Sequence, residues 1–138
     1  MLFTLYADGG SRGNPGPAGA GALVRDEEGV QVVTVSEFLG TTTNNIAEYT
    51  AVLRALEELR ALLEEQATNA TVDVRLDSQL VVKQMNGEYK IKHPNIIPLA
   101  GKVKEVVRAF RTVTFSHVYR DQNKEADALA NAAMDRGA

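Results

Sequence analysis

Four carboxylates in this 138-residue chain, Asp8, Glu48, Asp77 and Asp127, stand where an acid can do chemistry. Asp8 closes the apolar run LFTLYAD, immediately before Gly9-Gly10. Glu48 follows TTTNNIA, Asp77 closes TVDVRLD, and Asp127 lies within NKEADALANAAM. Each has an ordinary explanation taken alone. Asp8 before glycine suits a turn, and Glu48 suits a capping box with Asn45. Asp77 suits a cap for a helix beginning at Ser78, and Asp127 complements the positive end of a helix dipole. As a set they are four acids, each at the beginning or end of an element, that one edge of an α/β sheet can gather. Converging carboxylates repel one another unless cations sit among them, and oxygen-only ligands select Mg²⁺ or Mn²⁺. Two such ions roughly 3.5–4 Å apart would activate a water and stabilise the leaving oxygen of a phosphodiester.

Other chemistries find little support. The chain has no cysteine, which excludes thiol catalysis, Cys-ligated zinc and iron–sulfur clusters. His93 and His117 are too few and too far apart for a sequence-evident zinc motif. No serine sits in a recognisable triad spacing. The glycines at 9, 10, 13 and 16 match neither a phosphate loop nor a dinucleotide fingerprint.

Positioning the acids falls to the surrounding elements. Residues 2–8, apolar on both faces, predict a central strand. The glycine- and proline-rich stretch 9–19 predicts a loop, and strands follow near 20–26 and 30–38 around the turn Asp26-Glu27-Glu28-Gly29. Residues 41–66 predict a long helix with Glu48, Val52, Leu56, Leu59 and Leu63 on one face, so that Glu48 leans toward the sheet. A strand is predicted over 71–77, a short helix over 78–87, a basic irregular segment over 88–98 and a helix over 99–110. A strand over 112–119 and a helix from about 123 complete the order βββαβααβα. That order implies an α/β fold, a five-stranded mixed sheet flanked by helices. The length suits one domain over 1–138. No apolar run approaches a membrane span and no targeting signal is evident, so the expected location is cytoplasmic.

Charge is unevenly placed. The net charge is −3, yet residues 1–66 carry −6 and residues 67–138 carry +3. Seven of the basic residues fall within 83–111, including Lys83, Lys90 and Lys92, a patch that can attract phosphates.

The segments TLYADGGSRGNPGPAGAGALV, TTTNNIAEYTAVLRALEEL, LDSQLVVKQMNGEY and NKEADALANAAM, collinear over essentially the whole chain, resemble the landmarks of the type 1 ribonuclease H family. The resemblance implies the ribonuclease H-like fold and hydrolysis of the RNA strand of RNA–DNA hybrids, leaving 5′-phosphate and 3′-hydroxyl ends. It assigns two Mg²⁺ ions, with Mn²⁺ as a substitute, to Asp8, Glu48, Asp77 and Asp127. It also assigns hybrid contacts to Asn14, Asn44, Asn45 and Gln79, and a DNA-strand phosphate to Thr43. Gly9, Gly10 and Gly13 would serve backbone geometry.

Two departures stand out. Only EYKIKHPNIIP, with Lys90 and Lys92, occupies the place of the basic protrusion, as in the family's handle-lacking branch. Those lysines would then carry part of the hybrid binding. The family's mobile catalytic histidine has two candidate counterparts here, His117 within a strand-like run and Arg120 in the following loop, with Arg120 preferred. Cleavage of double-stranded RNA, or hybrid binding without catalysis, are the alternative functions. A monomer with no obligate protein partner is expected.

Overall fold

The computed structural model describes all 138 residues. Its elements are β1 (Leu2–Ser11), β2 (Gly16–Arg25), β3 (Gln31–Thr42), α1 (Asn44–Leu63), β4 (Thr71–Leu76), α2 (Gln79–Met85), α3 (Ile96–Val107), β5 (Thr112–His117) and α4 (Lys124–Arg136). Short 3₁₀ turns follow α1 and precede α4. The order βββαβααβα is the one the sequence predicts. The strands form one sheet in the order β3-β2-β1-β4-β5, antiparallel among the first three and parallel from β1 through β4 to β5.

Periodicity explains the layers. On β1, Phe3, Leu5 and Ala7 are buried while Thr4, Tyr6 and Asp8 are half-buried, and on β4 Val72, Val74 and Leu76 are buried. The first face receives α1, whose Val52, Leu56 and Leu59 are all fully buried. On the opposite face α4 lays Ala126, Ala130 and Ala133 over β2. β1 is central, as its two-sided apolar character predicts. No helix is long and apolar enough to cross a membrane.

The expected loop over 9–19 is wrong in extent. β1 continues through Ser11 and β2 begins at Gly16, so only residues 12–15 turn. Gly9 and, just beyond the stretch, Gly21 are points of close approach rather than breakers. A Cβ on Gly9 would run into the backbone of Ala47 and Glu48 in α1, and one on Gly21 into the backbone of Ala126 and Ala130 in α4. Removing two methyl groups lets both acid-bearing helices settle onto the sheet. The other element boundaries differ from the predicted ones by a few residues, as fraying ends do.

Candidate active site

β1 and β4 are parallel and in register, Ala7 opposite Leu76. The next residue on each is Asp8 and Asp77, so adjacent strands deliver two carboxylates side by side. Glu48 arrives from α1, brought close by Gly9, and Asp127 arrives from the first turn of α4. All four line one cleft of about 390 Å³, together with Gly9, Gly10, Asn44, Asn45, Arg120, Ala130 and Met134.

The ordinary explanations fail for three of these acids. Asp8 lies inside a strand rather than a turn, and its Oδ1 accepts only from the adjacent Gly9 N–H at 2.9 Å. The capping of α1 is done by Thr43, whose hydroxyl oxygen accepts from the Ile46 N–H at 3.4 Å, so Glu48 is not half of a capping box with Asn45. Ser78, not Asp77, caps α2, accepting from the Val81 N–H at 3.3 Å. Asp127 retains a favourable position in the first turn of α4.

Electrostatics show what the crowding costs. Burial, then the charge of Asp77, a hydrogen bond with Asp127 and the charges of Asp127 and Glu48 push Asp8 from its ordinary 3.8 up to about 8. Burial also pushes Glu48 up to about 7, aided by Asp77 and opposed by the Ser78 hydroxyl and the Arg120 guanidinium. Glu48 Oε2 is buried with no hydrogen-bond partner. A buried carboxylate oxygen lacking any donor, among three further carboxylates, fits a hard divalent cation. As the side chains stand, no three His, Cys, Asp or Glu groups are arranged to hold an ion.

The polar residues divide into two groups. Asn14 Oδ1 accepts from the Asn44 N–H at 3.1 Å, and Asn44 Oδ1 accepts from the Ser11 N–H at 2.7 Å and the Ser11 hydroxyl at 3.1 Å. The amide oxygens of Asn14 and Asn44 are therefore used internally, tying the turn 12–15 to the start of α1 and leaving each Nδ2 as a donor. Asn45 lines the cleft, and Gln79 is exposed at the first turn of α2. Lys90 and Lys92 are exposed on the segment between α2 and α3, away from the cleft lining. Lys83 sits 5.0 Å over the ring of Tyr89 on the same segment.

Arg120 lines the cleft and His117 does not. Register accounts for this. His117 pairs with Leu76 and continues the alternation of Val113 and Phe115, which face an apolar groove beside α3. Its ring rests edge-on against Tyr119 at 5.5 Å. Sequence reasoning missed Ser78 and Met134 as site residues. Ser78 had a signal, direct adjacency to Asp77, whereas Met134 looks like any residue on an apolar helix stripe.

A family model described as reverse transcriptase-like matches residues 6–133. A ribonuclease H from Thiobacillus denitrificans is 43% identical over 96% of this chain and 93% of its own length. A bifunctional protein of Mycobacterium tuberculosis is 42% identical over 100% of this chain, which spans 37% of that relative's length. Among solved structures, LC11-RNase H1 in complex with an RNA/DNA hybrid is similar with a TM-score of 0.91 and 41% identity, covering 97% of each chain. That protein was isolated from compost by a metagenomic approach.

Proposed function

The chain belongs to the ribonuclease H family, and from that premise we propose that it hydrolyses the RNA strand of RNA–DNA hybrids, leaving 5′-phosphate and 3′-hydroxyl ends. The observation that carries the reading is the convergence of Asp8, Glu48, Asp77 and Asp127 in one cleft, with a buried Glu48 oxygen that nothing in the protein satisfies. Asp8, Glu48, Asp77 and Asp127 would hold two Mg²⁺ ions, or Mn²⁺ in their place, and the ions would supply Lewis-acid chemistry for water activation and for the charge on the departing 3′-oxygen.

The protein's own groups do the rest. Arg120 faces the same cleft with a permanent positive charge, suited to the phosphate charge that grows in the transition state. It cannot shuttle protons at neutral pH. Asn14 and Asn44 present Nδ2 donors beside the cleft, with Asn45 and Gln79 on adjacent turns. Such donors suit the acceptors of a minor groove and the oxygen of a 2′-hydroxyl, which is the feature that tells RNA from DNA. Thr43 fixes the N-terminus of α1 and offers the same anion-favouring end to a backbone phosphate. Lys90 and Lys92, on the short segment that replaces a longer basic protrusion, add attraction that steers the duplex.

The test is cleavage of a strand-labelled hybrid with Mg²⁺, Mn²⁺ or EDTA, beside single-stranded RNA, double-stranded RNA and double-stranded DNA. Metal-dependent cutting of the hybrid's RNA strand, absent in Asp8→Asn and Asp77→Asn proteins, is the expected result. Cleavage of double-stranded RNA as well would broaden the substrate class. Tight hybrid binding without cleavage under either metal would overturn the enzymatic reading in favour of a binding module.

A further inference from the structure

Asn123 precedes α4 and is 1% exposed, yet its side chain makes no capping bond to that helix. Capping, the ordinary reason for asparagine at this position, is therefore absent. Its hydrogen bonds run to three parts of the active site instead. Nδ2 donates to the Ala7 carbonyl at 2.9 Å, one residue before Asp8. The backbone carbonyl of Asn123 accepts from the Asp127 N–H at 3.1 Å, and its own N–H donates to the Arg120 carbonyl at 3.0 Å. Oδ1, meanwhile, is buried with no partner. A side chain kept for packing alone would not bring into the core an acceptor that nothing satisfies.

The other side-chain bonds of α4 run elsewhere. Glu125 pairs with Arg25 on β2, the Leu129 carbonyl accepts from Ser36 on β3, and Arg136 donates to Ser36. Against β2 the helix is seated by small apolar residues and glycines, contacts that carry little directional information. Apart from the acid pair itself, the Nδ2 bond to Ala7 is thus the side-chain hydrogen bond that joins the strand bearing Asp8 to the end of α4 that carries Asp127, the Arg12–Asp135 ion pair lying at the opposite end of that helix. Those two carboxyls come from different elements with 118 residues of chain between them, so their separation is a tertiary quantity that something must set.

We infer that Asn123 is a positioning residue that sets the Asp8–Asp127 separation, and through it the affinity of the acid pair for a divalent cation. It rests on the ribonuclease H reading only for its consequence in catalysis; its effect on cation affinity stands without substrate. Residues that orient metal ligands typically contribute ~10–100-fold in metal affinity or activity.

The experiment compares the unaltered chain with Asn123→Ala and Asn123→Gln. Mn²⁺ binding is measured by calorimetry without substrate, and kcat and KM are measured on the hybrid. Both variants are expected to bind Mn²⁺ ~10-fold more weakly and to lose ~10–100-fold in kcat. KM for the hybrid should stay within about 2-fold, and raised Mn²⁺ should restore part of kcat, which a merely unstable protein would not show. Glutamine keeps the amide but moves it by a methylene, so its failure beside alanine separates position from polarity. Unchanged Mn²⁺ affinity and kcat in a folded variant would overturn the inference, whatever happens to Tm. Should neither variant fold, the Asn123 side-chain amide of the unaltered protein serves as the probe. Protection from exchange and a shift on adding Mg²⁺ are expected there, and a freely exchanging, unshifted amide would overturn the assignment. An unaltered chain that binds Mn²⁺ but cuts no hybrid would count against the proposed activity and leave the inference to the binding arm.

Discussion

At the scale of single residues, the site is a contest between four acids and the water they have lost. Asp8 at about 8 and Glu48 at about 7 hold protons in the folded chain that the unfolded chain releases near pH 4. A raised pKa in the folded state means that stability is present in full at acid pH and is lost as pH rises through the window from about 4 to about 8. In EDTA, Asp8→Asn should therefore raise Tm at pH 8, by ~3–5 °C if it relieves on the order of 1 kcal/mol, and leave Tm unchanged at pH 4. The same substitution should abolish metal-dependent cleavage. Arg120 and His117 make a second comparison. Arg120→Ala should lower kcat by ~10–100-fold because a preorganised charge at the phosphate is lost, while His117→Ala, whose ring lies outside the cleft, should stay within about 3-fold of the parent. Steady-state kinetics at saturating hybrid decides both.

At the scale of elements, the positions of α1 and α4 are set by what is missing from the strands beneath them. Gly21→Ala puts a methyl group into the backbone of Ala126 and Ala130, so α4 must lift and carry Asp127 with it. We expect a loss of ~3 kcal/mol or more in urea unfolding, together with loss of activity. Gly101 offers the contrast. It lies exposed within α3 with nothing near its missing Cβ, and Gly101→Ala should stabilise the protein by ~0.5–1 kcal/mol without touching kcat. The glycine-rich stretch 9–19 predicts a loop because glycine commonly marks turns. The same residue type also marks close helix–strand contact, and composition alone does not separate the two. All four acids read as element ends in the sequence; Glu48, Asp77 and Asp127 do lie near such ends, whereas β1 runs three residues past Asp8. The capping partners were not legible, since Thr43 and Asn45 are both acceptable caps and only the turn geometry chooses between them.

At the scale of the whole molecule, the chain is acidic while its proposed substrate is a polyanion. The positive half supplies Lys90 and Lys92 on an exposed segment beyond the cleft, and a Lys90→Ala/Lys92→Ala protein should bind hybrid several-fold more weakly. Its log affinity should depend on log salt with a slope reduced by ~2, at unchanged kcat under saturation, as counterion release requires. Fluorescence anisotropy across a salt series tests this. The sequence by itself determined the order of elements, the central place of β1 and the family, and it singled out the four acids that the structure gathers in one cleft, because each is written in local periodicity or in a contiguous motif. Tertiary structure alone decided which residues share the cleft. The parity of β5 turns His117 away, the register of β1 with β4 sets Asp8 beside Asp77, and Asn123 bonds strand, turn and helix together. These are relations between residues far apart in the chain, fixed by how faces pack and which strands pair, and no local pattern encodes them.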